Sequence, residues 1–287
     1  MRVLRSIVVT FVACALLLAV GVCGGCATTP RSPEGFWADY EPASLLESVD
    51  ASEQMFVEWA GLLQGADRAV CDRAIQEFVE IMVADPVGYH LWTEWANLHL
   101  YGLWSPVRNE EAFGMLLQRV WNDPRVPSEN KQHIPRLEGI LTHNGVGDKA
   151  EELTIYDAEG AEAKLSDLRG RRVVLVMVDT TCPSCVDTMQ KIEQTEVIME
   201  AARRGEVALV AVAINQTPEG IATLTREKSP IGWHIYCASS GQLERSYYDS
   251  EASPMLFLLS HDGTVEVAMT RNAESLAEAV GKGSEKR

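Results

Sequence analysis

The chain changes rhythm once. From Pro33-Glu34 to about residue 145, apolar positions recur at helical spacing, and no stretch alternates in the way a strand does. Leu45, Leu46, Met55, Phe56, Trp59, Leu62 and Leu63 open the pattern, and Val70, Ala74, Ile75, Phe78, Ile81 and Met82 continue it. Leu91, Trp92, Trp95, Leu98 and Tyr101 form a third stripe; Phe113, Leu116, Leu117, Val120 and Trp121 form a fourth. Ile134, Leu137, Ile140 and Leu141 form a fifth. Asp85-Pro86, Ser105-Pro106 and Asp123-Pro124 fall between stripes, where proline stops a helix. The pattern predicts four or five short amphipathic helices packed as a separate all-α domain over residues 34–145. Trp92 and Trp95 are expected to fill its core, and Arg108-Asn109-Glu110 reads as a helix cap with an ion pair.

Past Asn144-Gly145-Val146-Gly147 the rhythm becomes that of an α/β domain, expected over 146–281. Leu153 to Tyr156 reads as a strand, with Asp157 to Gly160 as its turn, and Lys164 to Gly170 as a single helical turn. Val173 to Val178 and Val207 to Ile214 are too continuously apolar for half-exposed strands and read as buried ones. A long helix lies between them, with Met189, Ile192, Val197, Ile198 and Ala201 apolar among charges. Thr217 to Lys228 is expected as a helix capped by Thr217, and Gly232 to Tyr236 as a short edge or crossover strand. One or two turns over Leu243–Tyr248 come next. Met255 to Leu259 and Thr264 to Met269 form a hairpin about His261-Asp262-Gly263, and Glu274 to Val280 closes with a helix. Residues 282–287 read as a disordered tail. The order predicts a mixed sheet flanked by helices.

Before all of this, Arg2 and Arg5 precede an apolar run from Ile7 to Val22, the pattern of an export signal over residues 1–25. Gly24-Gly25-Cys26 resembles a bacterial lipoprotein cleavage site, with Cys26 as the lipidated first residue and 26–33 as a tether. Cys23 stands where such a site usually has leucine, so an ordinary cleaved signal or an uncleaved anchor stays open. The expectation is a lipid-anchored protein of the periplasm or outer membrane, with a soluble secreted form as the alternative. Without residues 1–25 the chain keeps 23 Lys and Arg against 41 Asp and Glu, a net charge of −18. That balance excludes nucleic acid as a partner and offers no polybasic face to a membrane.

The chemistry concentrates in Cys182-Pro183-Ser184-Cys185, at the junction of a buried strand and a helix. Cys182, at the helix start, faces unpaired backbone N–H groups that favour a thiolate. Thiolate is the attacking species, so Cys182 is the expected nucleophile and Cys185, a turn later, the resolving thiol. Pro183 suits a first helical turn because its missing N–H has no intrahelical partner there. Ala252-Ser253-Pro254 immediately precedes a strand; a cis bond there leaves the Ser253 backbone free for an incoming peptide, and a plain strand-start proline is the alternative. Zinc needs two more ligands than the pair supplies. A copper site completed by His234 or His261, or two unrelated structural cysteines, stay open, and no metal or other cofactor is expected.

Residues from about 150 to 281 resemble a thioredoxin-fold protein of the TlpA/ResA branch. Leu165 to Gly170, Val173 to Val178, Cys182-Pro183-Ser184-Cys185, Ser253-Pro254, Leu256 to Leu259 and Asp262-Gly263 carry the likeness by order and spacing. Gly35-Phe36-Trp37, Glu53 to Val57 and Arg108 to Glu111 are similar to an uncharacterised helical domain that precedes thioredoxin domains in Bacteroidetes lipoproteins. The resemblance implies an attacking Cys182, a resolving Cys185, a cis-proline at Pro254 and a substrate-facing Ser253. The acid that the family carries six residues before its first cysteine is replaced by Val176. Asp179 is then either a proton relay acting through water or a helix cap.

The function expected is a thiol–disulfide oxidoreductase of the cell envelope that reduces protein disulfides. It takes as partners a disulfide-containing envelope protein, an upstream dithiol donor and, through its N-terminal anchor, the lipid membrane. The alternatives are a peroxiredoxin-like peroxide reductase, and a non-catalytic binding or assembly lipoprotein that works through the helical domain.

Overall fold

The computed structural model describes residues 32–41, 47–222, 232–270 and 272–284. The signal segment, Cys26, Leu45, Leu46, residues 223–228 of the expected helix and residues 285–287 lie outside them. Helices α1 (Val49–Leu63), α2 (Arg68–Ala84), α3 (Tyr89–Trp95), α4 (Glu110–Asn122) and α5 (Ile134–Thr142) match the predicted stripes. Their starts are chemically marked. Ser48 accepts from the Ala51 N–H at 3.4 Å and Asn109 from the Ala112 N–H at 3.0 Å, while Arg108 pairs with Glu110 as expected.

The helical core is aromatic. Trp59 and Trp92 are fully buried, and Trp59 packs on Phe78 with ring centroids 4.6 Å apart. Trp37 closes the cluster against Trp59, Phe78 and Trp92. The periodicity gives no sign of one feature: α3 continues into a π-helical stretch, Ala96–Tyr101. There the Gly102 N–H reaches the carbonyl five residues back, at Asn97, over 2.8 Å.

The described strands form one sheet of seven: β1 (Thr154–Tyr156), β2 (Glu162–Lys164), β3 (Arg172–Val178), β4 (Val207–Ile214), β5 (Trp233–Ala238), β6 (Met255–Leu259) and β7 (Val265–Thr270). Their spatial order is β2-β1-β5-β4-β3-β6-β7. β4 runs parallel to β3 and β5, while β6 is antiparallel to β3, so the sheet is mixed. Helices α6 (Pro183–Gln194), α7 (Glu196–Arg203), α8 (Ser240–Arg245) and α9 (Ala273–Ser284) accompany it. Residues 218–222 are helical, and Thr217 caps them by accepting from the Gly220 N–H at 3.2 Å.

Alternation in β3 sorts the two layers. Val174, Val176 and Val178 pack with Ile192, Ile198 and Leu276 of α6, α7 and α9. Val173, Leu175 and Met177 face the other way, toward Leu243, Tyr248 and Ile140. Ile140 belongs to α5, so the last helix of the all-α domain helps cover the sheet. The chain from Ser32 onward clusters as one compact unit, with one hydrophobic cluster among the helices and one on each face of the sheet.

Several expectations need correction. β5 is not an edge strand: it lies between β1 and β4, because the β1–β2 hairpin covers its outer side. β2 is three residues long with two of them exposed, too short and too wet to show a pattern. The long helix after Cys185 is broken at Thr195 into α6 and α7. Helix α9 runs on to Ser284, so 282–284 continue it rather than beginning a disordered tail. The expected attachment to a lipid membrane, and with it the lipid-anchored envelope location, does not stand: no described helix is long and apolar enough to cross a membrane.

Candidate active site

The buried strand β3 ends inside the sheet, between β4 and β6, where Asp179 to Thr181 turn the chain into α6. Cys182 is the N-cap of that helix, with extended backbone angles, and Pro183 occupies its first turn. The Cys182 thiol is half-buried, and its sulfur lies 2.9 Å from the Ser184 hydroxyl. That hydroxyl is the largest influence holding the Cys182 thiol below the ordinary cysteine range, and burial opposes it. Backbone hydrogen bonds from Cys185 and Ser184 add to the lowering, as a helix N-terminus should.

Cys185 sits one turn deeper and is buried between the sheet and α6. Burial pushes its thiol up to about 11. Two influences pull the other way: the backbone at Asp179 and the side chain of Ser253. Neighbouring Cys182 raises it further. One helical turn therefore holds a half-buried thiol shifted down and a buried thiol shifted up. Both are free thiols here.

Ser253 and Pro254 come from the start of β6, beside β3 in the sheet, and the bond joining them is cis. The topology thus brings Ser253 to the dithiol across a gap of some seventy residues in sequence. The expected substrate-facing role gave Ser253 a backbone part; its side chain also contacts Cys185. Asp179 has a different local part from a relay. Its carboxylate accepts from the Thr181 N–H at 2.8 Å and from the Thr181 hydroxyl at 2.7 Å, which hold it below the usual carboxylate range. It caps the turn that leads into Cys182, and its contribution to Cys185 runs through its backbone. Val176 is fully buried in β3, at the position where an acid was looked for.

Two residues bordering the site make contacts that the sequence does not show. Gln216, past the end of β4, donates its amide to the Thr180 hydroxyl at 2.8 Å and so ties the loop before Cys182 to the next strand. Ser184 is expected from the sequence as a residue of the helix-cap motif, where the two residues between the cysteines tune the potential, and its hydroxyl lies against the Cys182 sulfur. Cys71 and Cys237 are buried elsewhere, and Cys71 donates to the Leu63 carbonyl at 3.4 Å. Among the described residues no group of three or more His, Cys, Asp or Glu side chains could hold a metal ion.

The crystal structure of a thioredoxin-like protein from Bacteroides caccae ATCC 43185 is similar at a TM-score of 0.71 and 20% identity, covering 87% of this chain and 91% of that one. The fold is thioredoxin-like. The coverage reaches beyond the α/β domain, so the likeness includes the helical part. A family model described as the AhpC/TSA family matches residues 146–268. A domain of a possible thiol-disulfide isomerase from Cytophaga hutchinsonii ATCC 33406 matches at 21% identity and a TM-score of 0.43, covering 50% of this chain and 97% of that one. A putative protein disulfide isomerase from Bacteroides thetaiotaomicron matches at 20% identity and 0.42, covering 49% and 89%. No curated protein matches the chain. A cysteine pair placed this way in a thioredoxin-like fold makes the protein an enzyme of thiol–disulfide chemistry.

Proposed function

We propose that this protein is a dithiol reductase of the TlpA/ResA kind, in which Cys182 attacks and Cys185 resolves. The Cys182 thiolate displaces one sulfur of a substrate disulfide, forming a mixed disulfide and releasing the first substrate thiol. Cys185, once deprotonated, attacks the Cys182 sulfur, releases the second thiol and leaves an intramolecular disulfide. The substrate gains two electrons and the enzyme loses two, so an external dithiol must restore the pair. The carrying observation is the asymmetry within one helical turn, with Cys182 favoured as thiolate and Cys185 held as thiol. The contacts of Ser253 and the Asp179 backbone with Cys185 support its deprotonation in the second step, in place of the acid missing at Val176.

A second reading has its own support. The match of residues 146–268 to the AhpC/TSA family favours peroxide as the oxidant over a protein disulfide. Cys182 would then attack one peroxide oxygen and release the alcohol or water. The resulting sulfenate would condense with Cys185, expelling water and giving the same disulfide. Ser253-Pro254 beside the pair favours a disulfide-bearing peptide, since an extended backbone can dock there. Stopped-flow oxidation of the reduced enzyme, by hydrogen peroxide and separately by a disulfide-bonded polypeptide, separates the two. A rate constant for the polypeptide at least tenfold above that for peroxide supports the disulfide reading, and the reverse order replaces it with the peroxide reading. Oxidation by either that persists in Cys182→Ser overturns both.

A further inference from the structure

The segment that carries Ser253 toward Cys185 is held by the all-α domain. Asp249, only 3% exposed, accepts the Tyr101 hydroxyl at 2.8 Å and an Arg136 Nη1–H at 3.2 Å. Tyr101 ends the π-helical stretch and Arg136 lies in α5, so both groups come from the helical side. Arg136 uses its second nitrogen on Glu251 at 3.2 Å, and Asp249 also receives the Glu251 N–H at 3.0 Å. Two residues further on is Ser253.

The same segment is pinned a few residues earlier. Tyr247 has φ +55°, a conformation that L-residues rarely hold without support from their surroundings. That support comes from the end of α5. The His143 ring stacks on Tyr247 with centroids 3.8 Å apart, and Asn144 donates to the Ser246 and Tyr247 carbonyls at 3.0 and 3.2 Å. Gly139 is required beneath the ring, because a Cβ there would lie 2.5 Å from Tyr247 Cδ1.

Packing alone does not fix the segment. Tyr101, Arg136, Asp249, Glu251 and Ala252 all border an open cavity of about 670 Å³ between the helical layer and the loop. On that side polar contacts hold Asp249 and Glu251, while Ala252 packs against the sheet core. A buried carboxylate with a guanidinium and a hydroxyl on it is a directional restraint.

We propose that the all-α domain is a positioning element for the dithiol site, in which Tyr101 and Arg136 hold Asp249 and thereby set the place of Ser253-Pro254 against Cys185. Asp249, Arg136 and Tyr101 are positioning residues that touch neither substrate nor sulfur. The inference rests on the dithiol reading of the site and gives the helical domain a part in it. A displacement of the loop by about an ångström is expected to cost roughly 10- to 100-fold in kcat/KM. The loss should fall on docking of the substrate and on resolution by Cys185, and leave the intrinsic reactivity of Cys182 alone, since its partners lie in α6.

The test uses the full chain with a disulfide-bonded polypeptide as substrate, and compares wild type with Arg136→Met, Arg136→Lys and Tyr101→Phe. Expected are a rise in KM or a slowed release of the mixed disulfide in Arg136→Met, and substantial recovery in Arg136→Lys. Tyr101→Phe keeps the ring and should show a smaller loss of the same kind. Iodoacetamide alkylation of Cys182 should match wild type in all three. Unchanged kcat and KM in folded Arg136→Met and Tyr101→Phe, with only thermal stability reduced, overturns the proposal. If Arg136→Met fails to fold, Tyr101→Phe and Arg136→Lys decide alone, and wild-type kinetics in both overturn it. A wild-type enzyme with no dithiol activity would instead strike the functional reading, which keeps the two failures distinct.

Discussion

The core of the helical part and the two cores that flank the sheet are built from different residues. Around Trp37, Phe56, Trp59, Phe78, Trp92 and Trp95 the helical core is a mesh of aromatic rings, several meeting edge to face. The sheet is filled by Val, Leu, Ile and Ala, with β4 buried along its whole length. Large rings let short helices bury much area from few positions. Small branched side chains let three adjacent strands, β4, β3 and β6, stack flat beneath helices on both faces. The dithiol stands where the second kind of core ends, at the exit of β3, and the helical part meets the opposite face of the sheet through Tyr101, Leu103 and Ile140. The contrast teaches that stability and reactivity are separable in this chain: the aromatic core carries none of the groups that shift the two thiols.

The strongest way to break that separation is Cys182→Ser. Turnover is expected to fall to the uncatalysed rate while the thermal midpoint hardly moves, because the half-buried thiol fills no core. Kinetics beside differential scanning calorimetry check both halves, and a large loss of stability would contradict the division. The converse substitution is Trp59→Ala, which removes a fully buried ring and should cost about 3–5 kcal/mol by denaturant unfolding. Below its transition, Cys182 alkylation should proceed as in wild type; a changed rate would mean that the aromatic core reaches the thiol directly.

A third change probes the seam between the regions. Gly139→Ala drives a methyl group into the Tyr247 ring and should destabilise by about 1–3 kcal/mol, read from urea unfolding. A neutral result would show that Tyr247 can move aside freely. The smallest expected effect is Ser184→Ala, which removes the hydroxyl that does most to lower the Cys182 thiol. Alkylation near pH 7 should slow by about two- to tenfold, and its pH midpoint should shift upward. In wild type the Cys182 rate should fall as pH is lowered through a midpoint below the ordinary thiol value, since only the thiolate reacts. Cys185, measured in Cys182→Ser, should stay unreactive until pH rises above that ordinary value, because burial is its largest cause. A Cys185 midpoint below that of Cys182 would reverse the assigned roles.

Much of this was legible beforehand because the signals are local. The helical stripes, the continuous apolar runs of β3, β4 and β6, and the caps at Asn109 and Thr217 all depend on near neighbours in sequence. β2 escaped because three mostly exposed residues carry no period, and β5 was misplaced because a strand's neighbours are not written in it. The break at Thr195 is a single residue in extended conformation, and the π-helical stretch at Ala96–Tyr101 is a shift of one hydrogen-bond register; both leave the apolar pattern almost unchanged.

By itself the sequence determined that a Cys-Pro-Ser-Cys pair sits at a strand-to-helix junction, with a helical domain ahead of it, since burial pattern and proline position dictate both. Position at the helix start already pointed to Cys182 as the thiolate; only the tertiary structure shows which neighbours shift each sulfur. The Ser184 hydroxyl, the depth of Cys185 and the contact with Ser253 are distances, and Ser253 is brought there by the pairing of β6 with β3. The grip of Tyr101 and Arg136 on Asp249 is equally a fact of folding. Residues more than a hundred positions apart meet because α5 covers one face of the sheet, and no local pattern records such a meeting.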